Sequence, residues 1–153
     1  MATTVTAENL TVTITEQYTL NGVSYGNTMN KTYTDNGEVY QRIMAIPYNA
    51  LAVTFTDIIN FGAADNAGQA DIDNYKYFRI KNLDDTNFLT LRVTGTLDSF
   101  FVKIKAGETF LLMDNEIDAV ASSTDFGAFT DISQISANAD TAEIDIEFVC
   151  VTA

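Results

Sequence analysis

Between Tyr75 and Met113 three strand-like runs, 77–83, 88–93 and 100–105, lead into a fourth at 109–113 through the turn Ala106-Gly107-Glu108. Short connections between short apolar runs favour antiparallel neighbours. The stretch therefore predicts an antiparallel meander within a small β-sandwich, and it leaves little room for a catalytic loop.

Alternation and turn signals extend this reading along the chain. Residues 1–9 are Thr- and Ala-rich and read as a flexible N-terminal arm. Leu10-Thr11-Val12-Thr13-Ile14 then alternates with period two, the pattern of a half-buried strand. Asn21-Gly22 is the pair that best tolerates the positive φ angles of a tight hairpin, with 18–20 and 23–25 as its arms. Residues 30–37 are polar and end in the turn signal Asp35-Asn36-Gly37. A strand over 39–46 follows, closed by the only proline, Pro47, which lacks an amide donor. A further strand is expected over 50–55.

Residues 60–74 are dominated by Gly, Ala, Asp and Asn and read as a long exposed loop. Within 114–134, the segment 116–121 and the pair Ile132/Ile135 each have the pattern of one helical turn, too short for an independent helix. The run 142–150 alternates most cleanly, placing Ile144, Ile146 and Phe148 inward and Glu143, Asp145 and Glu147 outward. Roughly seven to nine short strands without a long amphipathic helix predict an all-β chain, an antiparallel β-sandwich of jelly-roll-like kind. The expected organisation is one domain over 10–153 behind the arm 1–9, with no internal repeat.

At 153 residues and 46% hydrophobic content the chain has enough apolar material for one core. Domains of about this size bury roughly two-thirds of the unfolded chain's surface. No apolar run approaches the ~18 residues that cross a bilayer, and the first ten residues lack a basic start and an apolar signal core. The expectation is a soluble chain outside the general secretory route. A single cysteine, Cys150, forbids an intrachain disulfide, and the absence of histidine removes the usual Cys/His zinc sites.

The formal charge of −13, from 21 acids and 8 bases, argues against nucleic acid or an anionic membrane as a partner. Six of the eight bases, Lys76, Arg79, Lys81, Arg92, Lys103 and Lys105, lie in 76–105, whereas 106–153 holds ten acids and no base. Two accounts fit this asymmetry. Either neighbouring strands pair opposite charges across a sheet and solvate its faces, or the basic stretch is a docking surface for another subunit.

Without an imidazole, Ser-His-Asp and Cys-His catalysis is excluded by composition. No phosphate-binding loop, dinucleotide fingerprint or nucleophile elbow is present. The chain is read as not an enzyme, with no cofactor and no metal. Three acidic clusters, Asp65/Asp71/Asp73, Asp84/Asp85 and Asp114/Glu116/Asp118, lack the spacing of a calcium loop. Asp84-Asp85-Thr86 is better explained as a turn in which aspartate caps its own backbone. Most phenylalanines sit in strand-like runs and are assigned to core packing. Tyr25, Tyr33, Tyr40 and Tyr48 are not, which leaves a self-association surface or a sugar contact open. Cys150, in phase with Phe148 and Ile146, is expected to be a buried thiol.

The series Tyr77-Phe78-Arg79-Ile80-Lys81-Asn82-Leu83, then Asn87-Phe88-Leu89-Thr90-Leu91-Arg92-Val93, then Phe101-Val102-Lys103-Ile104-Lys105-Ala106-Gly107-Glu108-Thr109-Phe110-Leu111-Leu112, resembles the small β-sandwich virion proteins of tailed bacteriophages. Those proteins decorate capsids or build tail and neck parts. The resemblance implies assembly, and no functional residue transfers with it. It implies a capsid decoration (cement) protein, located in the virion after assembly in the host cytoplasm. The expected partners are the major capsid protein and further copies of the chain, with a trimer as the expected oligomer. A tail or neck subunit and a carbohydrate-binding receptor-recognition module are the alternatives. The candidate contact segments are the arm 1–9, the loop 61–72 and the basic stretch 76–105. Within them, Phe61, Asp65, Asp71, Arg79, Lys81, Arg92, Lys103 and Lys105 are the candidate contact residues.

Overall fold

A computed structural model describes residues 8–50, 54–62, 70–71, 75–95, 99–113 and 132–152. Among these residues all regular structure is strand, and no helix is long and apolar enough to cross a membrane. The chain divides into two compact units that meet at Gly37 and Glu38.

The first unit is one long hairpin, β1 (Glu8–Leu20) paired antiparallel with β2 (Val23–Asn36). Asn21 and Gly22 turn the chain with φ of 50° and 79°, which is why this dipeptide sits at the tip. Glu8 and Asn9, expected in a flexible arm, already belong to β1, and residues 30–36, read as a polar stretch ending in a turn, belong to β2. The ribbon continues through polar sequence because threonines face each other across it. Thr11 and Thr32 hydroxyls lie 3.3 Å apart, Thr13 donates to Asn30 Oδ1 at 2.8 Å, and Thr15 and Thr28 hydroxyls lie 3.4 Å apart. The earlier part of the arm, 1–7, lies outside the described residues.

The second unit is the expected sandwich. One sheet has the order β3 (Glu38–Ile46), β11 (Ile144–Thr152), β6 (Tyr75–Asn82), β9 (Thr109–Leu112). The other has the order β5 (Ala70–Asp71), β4 (Thr56–Gly62), β10 (Gln134–Ala139), β7 (Leu89–Thr94), β8 (Ser99–Ile104). All pairings are antiparallel except the short β4–β5 pair. Phe78, Ile80, Ile144, Ile146 and Phe148 from the first sheet share a core with Leu89, Leu91, Val93, Ile135 and Ala137 from the second. β11 buries Ile144, Ile146 and Phe148 and turns Asp145 outward, as its alternation requires.

Within this unit four sequence expectations need correction. The four central runs are strands but not a meander: β6 pairs with β9 and β7 with β8, so the chain changes sheet after β6 and again after β8. The turn at Gly107, φ 73°, closed by Glu108 N donating to Lys105 O at 3.0 Å, therefore joins two sheets instead of two neighbours. Asn82 stabilises the first crossing. Fully buried, it donates to Asn87 O at 2.8 Å and to Ile104 O at 3.3 Å, and accepts from Asp84 N at 3.0 Å.

The second correction concerns the loop expected over 60–74, whose first residues complete β4 and whose Ala70 and Asp71 form β5. Third, Thr54 and Phe55 precede a strand that begins at Thr56, while 51–53 lie outside the described residues. Fourth, Ile132 and Ile135 are buried beside and within β10, not in a helical turn. The segment 116–121 lies outside the described residues.

Candidate functional site

The hairpin sorts its side chains by face. Alternation places Leu10, Val12, Ile14, Glu16, Tyr18 and Leu20 on one side of β1, opposite Tyr33, Lys31, Met29, Asn27, Tyr25 and Val23 of β2. The reverse side carries Thr11, Thr13, Thr15, Gln17 and Thr19 against Thr32, Asn30, Thr28, Gly26 and Ser24. One side is thus a mostly apolar stripe, broken by the Glu16/Asn27 row and by Lys31, and the other is mostly hydroxyl and amide.

The stripe is accessible toward its tip. Tyr18 is 58% exposed, Leu20 57%, Val23 53%, Met29 50% and Tyr25 46%, whereas Leu10, Val12 and Ile14 are half-buried. Tyr18 and Tyr25 stack across the strands with centroids 5.4 Å apart. A two-stranded ribbon is marginally stable in water, and covering a large apolar side chain is worth about 1.5–3 kcal/mol. Tyr18, Leu20, Val23 and Tyr25 form a contiguous exposed apolar patch at the tip, and a patch of this kind marks an interaction surface.

The residues singled out from the sequence are mostly engaged within the sandwich. Phe61 is buried on β4, its ring edge-on to Tyr75 with centroids 5.7 Å apart, and is a core residue. Arg79 makes an ion pair with Glu147 on the neighbouring strand, and Lys81 stands directly opposite Glu147 in register. At this position a base of the 76–105 stretch pairs with an acid of the 106–153 stretch across the sheet. Arg92 donates to Ser136 Oγ at 3.1 Å and Gln134 Oε1 at 3.0 Å, and its guanidinium lies 4.5 Å from the centroid of the Phe55 ring. Lys103 and Lys105 are exposed, with the Lys103 ammonium 3.7 Å from the centre of the Phe88 ring. Asp65 lies outside the described residues, and of Asp71 only the backbone, in β5, is described.

Of the acidic clusters, Asp84 does cap its own turn, accepting from Thr86 N at 2.7 Å and Asn87 N at 2.5 Å. These amides hold its carboxyl below the usual carboxylate range. Folding also brings Glu143 and Asp145 to the same hollow as Asp84 and Asp85. Among the described residues, no group of three or more acidic or cysteine side chains has the geometry to hold a metal ion. Residues 114–118 lie outside the described residues. A cleft of about 350 Å³, at the small end for ligand pockets, is lined by Tyr40, Arg42, Asp57, Ile59, Asn60 and Phe148.

Of the tyrosines left unassigned by sequence, Tyr25 and Tyr48 are exposed, Tyr33 is buried, and Tyr40 packs against the core edge. The Tyr40 hydroxyl donates to Glu38 Oε2 at 3.0 Å, and Thr152 Oγ1 donates to the same oxygen at 3.0 Å. Burial and the Glu38 carboxylate raise both Tyr40 and Cys150 to about 12.

Sequence reading missed Leu20, Val23 and Met29 as surface-forming residues. The signal was present: counting outward in steps of two from Asn21-Gly22 generates the whole stripe. Comparison with protein-family models, curated proteins and solved structures finds no match.

Proposed function

We propose that this chain is a structural subunit of a tailed-phage virion, a capsid decoration protein that docks as a homo-oligomer on the shell of the major capsid protein. The observation that carries this reading is the long hairpin whose apolar side, Tyr18, Leu20, Val23, Tyr25 and Met29, is exposed. Such a face gains free energy only when another surface covers it, and that is the working principle of an assembly subunit. The antiparallel sandwich, the resemblance over 77–112 and the acidic surface are further support. Decoration multiplies a modest contact over many sites, so that pressure on the shell is shared among them.

The test is co-sedimentation of the purified chain with genome-free shells of the source phage. The reading expects binding in a fixed ratio to the shell protein, lost in a Leu20→Asp/Val23→Asp variant that keeps the parent's circular dichroism. Binding to tails and not to shells would move the protein to the tail or neck. Capture by a glycan array through Tyr18 and Tyr25 would make it a receptor-recognition module.

A further inference from the structure

We infer that the apolar side of the hairpin is covered by the same side of a second copy, packed head to tail. This inference names the occupant of the docking surface and rests on reading the hairpin as an assembly element.

The argument comes from charge. Between the Leu10/Tyr33 and Leu20/Val23 pairs the stripe carries one acid, Glu16, and one base, Lys31. Glu16 lies in the cross-strand pair with Asn27, and Lys31 in the pair with Val12, two side-chain rows away. At about 3.4 Å per residue they stand roughly 14 Å apart along the ribbon, too far to pair within one copy. Among the described residues neither belongs to an ion pair, and Lys31 rests its ammonium 5.3 Å from the centre of the Tyr33 ring.

The row midway between them is Ile14 opposite Met29. A two-fold axis across the strands at this row reverses the order of rows in the second copy. The Val12/Lys31 row of each copy then faces the Glu16/Asn27 row of the other, so each Lys31 gains the other copy's Glu16 in the facing row, two pairs in all. The same rotation sets the exposed Tyr18 of each copy over the half-buried Leu10 of the other. A parallel arrangement instead stacks each row on itself and leaves every Glu16 and Lys31 about 14 Å apart along the strands, as in the single copy. The charge pattern therefore selects the head-to-tail packing.

The size is adequate for a weak, repeated contact. The five rows from Leu10/Tyr33 to Tyr18/Tyr25 overlap, a strip roughly 30 Å long and about 13 Å wide on each copy that buries on the order of 800 Å² in total, the size of a weak encounter. Two stacked ribbons also supply the four strands that a lone hairpin lacks.

The test is sedimentation velocity of the full chain over a wide concentration range, comparing the parent with Glu16→Lys, Lys31→Glu and the double variant. Both residues are exposed, and unchanged circular dichroism and thermal melting confirm folding. The expected result is a concentration-dependent dimer, weakened by about tenfold in each single variant and restored to within about threefold in the double variant. Restoration is specific to the head-to-tail register, because only there does each reversed charge meet the other. A monomer at every concentration, or a dimer indifferent to all three variants, overturns the inference. A monomer that still binds shells through the hairpin would overturn it while leaving the proposed function standing.

Discussion

Asn82 reaches from the end of β6 to the carbonyl of Ile104 at the end of β8, 3.3 Å away, and so joins the two sheets of the sandwich by a hydrogen bond in a fully buried position. The same amide satisfies Asn87 O, and its oxygen takes Asp84 N. Asn82→Ala strands two carbonyls and one amide where water enters poorly. It is expected to cost about 2–4 kcal/mol, read as a lower urea midpoint with an unchanged slope. A loss below about 1 kcal/mol would mean that the crossing is held elsewhere.

The Arg79–Glu147 pair is expected to matter little. Its side chains are 28% and 27% exposed, and Lys81 faces Glu147 in register as a substitute cation. Arg79→Ala should cost no more than about 1 kcal/mol, shrinking further in high salt, and Glu147→Gln should cost more than Arg79→Ala because it leaves Lys81 without a facing acid as well. Denaturant titrations at low and high ionic strength measure both.

Alkaline pH should destabilise the sandwich once it passes the ordinary thiol value, near 9. Cys150 and Tyr40 are both raised to about 12, first by burial and then by the Glu38 carboxylate. The folded state therefore holds these protons more tightly than the unfolded one. Their contribution is complete below the unfolded values, near 9 for the thiol and 10 for the phenol, and is lost as pH rises toward about 12. Unfolding free energy should fall over that window, with a shallower fall in Cys150→Ala and in Tyr40→Phe. The buried thiol should also resist Ellman's reagent at pH 8 until the chain unfolds.

Gly26 faces the backbone of the opposite strand, and a Cβ placed there would meet Glu16 O at 2.7 Å. Gly26→Ala must push β1 and β2 apart at that point. Its expected signature is faster amide exchange between Glu16 and Asn27, with the midpoint of the sandwich unfolding unchanged. Gly22→Ala, with open space around it but φ at 79°, should strain the tip by about 1 kcal/mol without displacing a neighbour.

Most strands were legible because burial of one face imposes period two, as in Ile144, Ile146 and Phe148, or Leu89, Leu91 and Val93. The partners of those strands were not. A short turn such as Ala106-Gly107 is compatible with a hairpin and with a step between sheets, and the deciding contacts, from Asn82 to Ile104 and to Glu108, come from residues 22 and 26 positions away in sequence. The hairpin was legible only at its tip. Asn27 and Lys31 interrupt the apolar rhythm of β2, and the threonine pairs that sustain it register only once the strands face each other. Phe61 misled in the opposite direction: Gly- and Ala-rich neighbours suggested a loop, yet its ring fills the core beside Tyr75.

The central claim is that this chain works by association. The direct measurement is its mass by light scattering, alone across a range of concentrations and mixed with genome-free shells. A free form that grows beyond 16.8 kDa with concentration, and a bound form at fixed ratio to the shell protein, is the predicted result. A monomer at every concentration that leaves the shells bare would contradict it.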